Sequence, residues 1–364
     1  MRYTWRDASR RGRPITVAGS AERPVLMPFL PSARTLARPV VAVLAALLLL
    51  PAFAAAQSAV DADPVWSAVR DTTREQFATA TAGRLHAYVV DAVLTPANDT
   101  TYARIDGRVA LTWVNITDAP ADVVHFRLYP NDERYREGEM TITRAMIAGE
   151  RVDPTLTESA TIATFALPAT VAPGDSAEIV LRYTATVPND APGTYGMFDH
   201  DVATDTYTLT HWLPLLAGYD PANGYLLGPV TVNGDPVFTN AATFDVAVTA
   251  PVDFVFATTG EAIDYVVEGE QATTRWVSGP AREFTIATSR DFAFVEASAG
   301  DIRVRSFYLP GHDERGRAAA RWAVDAIVLY QKLIGPYPYT EFDIVDAPIG
   351  GGAAGIEFPG LVFI

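Results

Sequence analysis

GPYPYTEFDIVDAPIGGGAAGIEFPGLVFI, residues 335–364, is the stretch whose reading decides the fold. Residues 342–345 alternate as a buried strand does, 350–352 make a glycine-rich turn, and 361–364 read as a second strand. Between turn and strand stands one carboxylate, Glu357, with Ile356 and Phe358 on either side. Burying an acid in such an apolar run costs free energy unless a cation meets it. Glu357 is therefore the first candidate for a site residue.

Immediately upstream, apolar residues recur at spacings of three and four: Ala319, Trp322, Ala323, Ala326, Ile327, Tyr330, Leu333 and Ile334. That spacing predicts one face of a helix starting near Asp313. Asp313 and Glu314 suit its positive N-terminal end and Lys332 its C-terminal end, and Gly335 and Pro336 stop it. The helix is expected to pack on the strands that flank the glycine turn.

Further back, from Leu85 to about Phe294, strand follows strand. Tyr88, Val90, Ala92 and Leu94 share one face, as do Val109, Leu111 and Trp113. The same period places Val124, Phe126 and Leu128 together, then Ile179, Leu181 and Tyr183, then Phe244, Val246 and Val248, then Phe254 and Phe256. Turns are expected at Asp106–Gly107, Pro173–Gly174, Asn233–Gly234 and Ser278–Gly279–Pro280. Many short strands with regular turns point to a sandwich or an extended sheet.

With these residues in place, the segment resembles the aminopeptidase N family of zinc metallopeptidases (gluzincins). Gly-Pro-Tyr-Pro-Tyr at 335–339 and Ala-Gly-Ile-Glu-Phe-Pro-Gly at 354–360 carry the resemblance. Ala354 stands at the first glycine of the family's Gly-x-Met-Glu-Asn type motif, Gly355 at the second position and Ile356 at the methionine. Glu357 matches the glutamate, and Phe358 replaces the asparagine. The resemblance runs from about Leu85 onward and implies a mainly β chain. An N-terminal β-sandwich would precede the opening helix and strands of a thermolysin-like α+β catalytic domain. The expected division is a preamble and signal peptide over 1–56, a linker over 57–84 in which 59–82 reads as a short helix or as linker, and, as the resemblance implies, the sandwich over 85–296 and a truncated catalytic domain over 297–364. The last four residues, Leu-Val-Phe-Ile, agree with truncation, since chain ends are usually polar and frayed.

The resemblance also implies a role for Glu357, that of holding the α-ammonium of a peptide substrate by a charge-assisted hydrogen bond. An internal amide offers no cation to such a carboxylate, which selects exopeptidase action. Ala354, Gly355 and Ile356 would run beside the peptide as an added strand, with Gly355 permitting close approach. Catalysis in the family needs zinc on H-E-x-x-H with a further glutamate. The five histidines here are His86, His125, His200, His211 and His312; none lies four residues from another, and no H-E-x-x-H occurs. Catalytic residues are thus expected beyond Ile364, with zinc in the full-length protein, and the chain alone is expected to bind no zinc and to be inactive. The rival reading is a non-catalytic exported β-sandwich that binds or scaffolds.

Other signals are weaker. Gly350, Gly352 and Gly355 match a dinucleotide fingerprint literally, but Pro359 and a β-branched run follow where a helix must. Asp199, Asp201 and Asp205 hint at a calcium loop whose third ligand position and glycine are wrong. The family's β-sandwich lends a polar side chain to the substrate's amino end from a segment near His211, but that motif is not recognisable here, and a satisfied structural histidine is the favoured reading.

The N-terminus reads as an address. Arg34 and Arg38 precede the apolar run 40–50, and small residues follow at Ala52, Ala54, Ala55 and Ala56, the order of a secretory signal over about 27–56. Pro51 breaks the run short of the roughly 20 residues a spanning helix needs, so export to periplasm or medium is expected, with no stable membrane span after cleavage. The chain carries −15 in all and residues 1–56 hold eight arginines against two acids, so the remainder carries −21. That surface repels nucleic acid. With no cysteine, thiolate chemistry is excluded.

Overall fold

The computed structural model describes residues 3–7, 15–17, 63–191, 195–231, 237–350 and 352–364. The expected leader (27–56) and the Asn233–Gly234 turn lie outside the described residues. The chain is mainly β, with a β-rich part preceding an α+β part. Among the described residues no helix is long and apolar enough to cross a membrane.

The β-rich part is built on an eight-stranded sheet in the order 261–268, 271–281, 242–251, 86–95, 103–114, 176–187, 139–147, 150–151. Neighbours are antiparallel, save that Ala242–Pro251 runs parallel to His86–Thr95. The alternation read from sequence holds: Tyr88, Val90, Val109, Trp113, Leu181 and Phe244 all enter one core. A four-stranded sheet (215–216, 121–127, 162–171, 155–157) supplies Val124, Phe126 and Phe165 to that same core.

Two expected turns are instead strand interiors. Ala103–Val114 runs straight through Asp106–Gly107, and Gln271–Ala281 through Ser278–Gly279–Pro280. Both glycines serve close approach. A Cβ on Gly107 would lie 2.2 Å from the ring of Tyr183, its cross-strand partner, and one on Gly279 would lie 2.1 Å from Val69. Val69 belongs to a clasp made by the turn Pro64–Ala68 and the helix Asp71–Thr81, inside the stretch whose sequence reads as a short helix or linker. Val65, Trp66 and Val69 pack on Val277 of the large sheet. Arg70 then reaches the second part, donating to Asp301 (2.7 Å), Gln331 (3.0 Å) and the Tyr337 carbonyl (2.7 Å).

The α+β part has its own sheet, ordered 15–17, 3–7, 293–299, 302–308, 341–345, 361–363, 356–358. Ile302–Tyr308 and Glu341–Val345 are parallel, so the chain must cross over between them. The helix Asp313–Leu333 is that crossover. It packs on one face of the sheet, where Ala320, Val324 and Ile327 meet Val304 and Ile344. The opposite face sets Phe307, Val345, Leu361 and Phe363 against Ala257 and Ala287 of a further four-stranded sheet (198–201, 206–209, 286–289, 255–258).

The helical stripe splits. Its sheet-facing residues are Gly316, Ala319, Ala320, Val324 and Ile327, whereas Trp322 is 70% exposed and Ile334 82%. Tyr330 and Leu333 are exposed with them. At 3.6 residues per turn Tyr330 flanks the buried line, Leu333 and Trp322 lie farther round toward the opposite side, and Ile334 is the C-cap, so the apolar arc is wider than the sheet beneath can cover.

Because the Tyr183 ring occupies the space a side chain would take, Gly107→Ala is expected to destabilise the large sheet by about 1–3 kcal/mol. Urea denaturation of the variant against the parent measures it.

Candidate functional site

Ile356–Phe358 forms a strand; at three residues it is too short to show a period in the sequence. It pairs antiparallel with Leu361–Phe363 across a two-residue turn. Pro359 presets the first turn residue and Gly360 takes the left-handed φ of +73° that the second needs. Ile356 and Phe358 point into the core between the two sheets, where the Phe358 and Phe363 rings stand 5.0 Å apart. Alternation then turns Glu357 to the other face, opposite Val362.

There Glu357 is exposed, and among the described residues no side chain pairs with it. The cation expected for a buried acid is not needed, because the strand is the outermost of its sheet and the carboxylate meets water. Ala354 and Gly355 are exposed beside it, and Ile356 is half-buried. A Cβ on Gly355 would find only the Phe363 carbonyl, at an ordinary 3.4 Å, so folding itself does not demand glycine there. The segment ahead of the glycine turn is held from two sides. Gly196 of the β-rich part approaches so closely that a Cβ on it would lie 2.9 Å from the Pro348 carbonyl. The side chain of His312, at the start of the helix, bonds the carboxylate of Asp346. Sequence reading missed that pair, whose members lie 34 residues apart.

The remaining candidates are not brought to this face. His211 is buried in the first core, with Tyr129 at 5.0 Å between ring centroids and Thr210 Oγ1 at 3.1 Å from Nδ1. Burial lowers its pKa to about 3. Asp199, Asp201 and Asp205 are each used locally. Asp199 accepts from the Ala191 amide (3.0 Å), Asp201 from Thr204 (2.7 Å), and Asp205 meets Arg290 (2.6 Å) and His200 (3.1 Å). Among the described residues no group of three or more His, Asp or Glu could hold a metal ion.

No protein-family model matches the sequence, and no curated protein matches it. Solved structures do. A mutant M1 zinc metallopeptidase from Deinococcus radiodurans, bound to a Tyr-Ser-Ala substrate, matches with a TM-score of 0.52 at 18% identity. The match covers 77% of this chain and 60% of that one. The M1 zinc metallopeptidase of the same organism without the mutation gives 0.48 at 17% identity, over the same shares. The chain shares the M1 zinc metallopeptidase fold. At this identity the likeness is one of fold, and the chain spans 60% of the length of those structures.

In this M1-type fold the two parts are joined beneath the site by an ion cluster. Asp343, wholly buried, accepts from Arg305 (2.9 and 2.8 Å) and from the Thr258 amide of the β-rich part (3.2 Å). Glu341 bonds Arg305 and faces Arg303, which also meets Glu261 at 2.8 Å. Three carboxylates thus share two guanidinium groups. Burial, then the Asp343 charge, raises the Glu341 pKa to about 7, and burial raises that of Asp343. Burial works against the Arg305 charge, but Asp343 and Glu341 outweigh it and hold its pKa above the ordinary value.

A raised carboxyl pKa means that the folded protein holds its proton more tightly than the unfolded chain. The resulting stability is fully present below about 4.5 and is lost as pH rises through about 7. Glu341→Gln, which mimics the protonated acid, is expected to match the parent near the acid end of that window and to gain on it toward pH 8. Thermal melts of both proteins across the range check this; a constant difference would contradict it.

Proposed function

We propose that the chain is the N-terminal portion of an exported zinc-dependent aminopeptidase, in which Glu357 anchors the amino end of a peptide. The observation that carries the reading is an exposed carboxylate, free of any ion partner among the described residues, on the outermost strand of the sheet. Its charge is available to an incoming ammonium, and the unpaired edge of Ile356–Phe358 is available to an extended peptide. An α-ammonium satisfies the carboxylate where an internal amide does not, so the site would favour chain ends.

The likeness in fold to an M1 structure that holds a Tyr-Ser-Ala substrate supports peptides as the partner class. In this reading residues 85–296 are the β-sandwich, 297–364 open the thermolysin-like catalytic domain, and 27–56 direct export. Among the described residues no side-chain group fits a zinc site. Metal and general base belong, in this reading, to polypeptide beyond Ile364, and this chain contributes substrate binding alone.

Two outcomes are expected. The reading frame past Ile364 encodes H-E-x-x-H within a few tens of codons; a stop codon there instead would favour the non-catalytic module. In the full-length protein, Glu357→Ala lowers kcat/KM on aminoacyl-nitroanilides about 10- to 100-fold, the worth of one charge-assisted hydrogen bond. An unchanged value would remove the anchor role.

A further inference from the structure

The outer face of the large sheet carries a row of charges that folding alone does not favour. Arg108, Arg182 and Arg144 are register partners on three adjacent strands, with Arg182 directly opposite each of the others. Antiparallel neighbours bring such side chains to about 5 Å at Cβ, where like charges destabilise the pairing. Arg108 has a partner in Asp91, at 3.3 Å. Arg144 and Arg182 are exposed, and among the described residues no side chain pairs with either. The acids along these strands are engaged elsewhere. Asp106 holds Arg104 (2.7 Å), Glu139 accepts from Thr141 (2.9 Å) and Glu178 from Thr112 (2.8 Å). A β-bulge completes the row. Met140 and Ile142 face the core, and an unbroken period of two would send residue 144 the same way. The register slips at this point, so that Ile142 pairs with Tyr183 but Arg144 with Arg182. The extra residue, Thr143, donates its hydroxyl to the Arg182 carbonyl (3.1 Å). Arg144 is thereby turned outward, while Ala145 and Ile147 return to the core. Bulges re-aim side chains in this way beside binding sites.

We propose that this row is a binding site for a small dianion carrying a tetrahedral phosphate group. Three arginines against Asp91 leave two positive charges, the complement of a dianion. Guanidinium forks pair bidentately with phosphate oxygens, which a single ammonium could not do. Range decides between a small ligand and a polyanion. Screening confines attraction to about 8 Å, so a small ion meets the row alone. A sulfated polysaccharide, a nucleic acid or an anionic membrane also meets the surrounding surface, of a chain that carries −21 outside residues 1–56, and is repelled. The row belongs to the large sheet and not to the sheet that bears Glu357, so it holds whether or not the peptidase reading does.

Thermal melts of the 364-residue protein test this, in sodium phosphate at about pH 8, where the dianion dominates, and in sodium chloride of equal ionic strength. A ligand of the folded state alone raises the melting temperature. Phosphate is therefore expected to raise it above the chloride value in the parent and in Arg84→Gln, an exposed arginine outside the row. Arg182→Gln and Arg144→Gln are expected to lose most of that increment. In chloride, Arg182→Gln is expected to melt no lower than the parent, since it removes two like-charge contacts. Phosphorus NMR of inorganic phosphate gives the affinity, with line broadening that saturates in the parent and a Kd about 10-fold higher in Arg182→Gln. Equal phosphate increments in all four proteins, or broadening that does not saturate, would overturn the proposal. Retention of the protein on dextran sulfate or phosphatidylglycerol vesicles that is lost in Arg182→Gln would also overturn it, by making a polyanion or a membrane the occupant.

Discussion

Asp343 is an acid with no water to meet, and the α+β part is arranged around that fact. An unpaired buried charge costs several kcal/mol, and the planar fork of Arg305 answers both of its oxygens. Arg305 and Asp343 are also register partners on adjacent parallel strands. A slip of one residue would carry the guanidinium to the helix-covered face and strand the carboxylate. The pair therefore sets which residues of Glu341–Val345 face inward. Since Asp343 pairs in turn with Leu361, it also sets the position of the terminal hairpin. The direction in which Glu357 points is thus decided two strands away.

The two faces of that sheet have different duties. One is dry and joined to the β-rich part through Phe307, Val345 and Phe363, with the ion cluster at its margin. The other carries the helix and, at its far edge, Glu357. Structural charge and candidate binding charge are kept on opposite sides of a single sheet. A ligand at Glu357 need not compete with the arginines that hold the parts together.

Much of this was legible from residue order alone, and the failures share a cause. Alternation located the core of the large sheet because burial on one face imposes a period of two. The helix was legible from its spacing, its end charges and its glycine-proline stop. Gly107 and Gly279 misled because a glycine marks either a turn or a close approach, and the deciding neighbours, Tyr183 and Val69, are distant in sequence. The helical stripe was read as one buried face because spacing reveals apolarity and not the width of the surface beneath. Glu357 was expected inside for the reason that its neighbours are apolar, yet alternation on an edge strand sends it outward. The buried acid was instead Asp343, which sits between Phe342 and Ile344 within the stretch read as a strand. With Arg303 and Arg305 alternating among apolar residues, that pattern was a signal available beforehand.

The single parallel pairing of the large sheet bears on how the protein is made. His86–Thr95 finds its antiparallel neighbour at once, in Ala103–Val114, but its other edge is closed only by Ala242–Pro251. At ribosomal speeds that second strand arrives on the order of ten seconds later. Through that interval the nascent chain displays an open ladder of amide and carbonyl groups flanked by apolar side chains, a template for pairing with the wrong strand. The folding time of such a chain is governed by closure of that long loop.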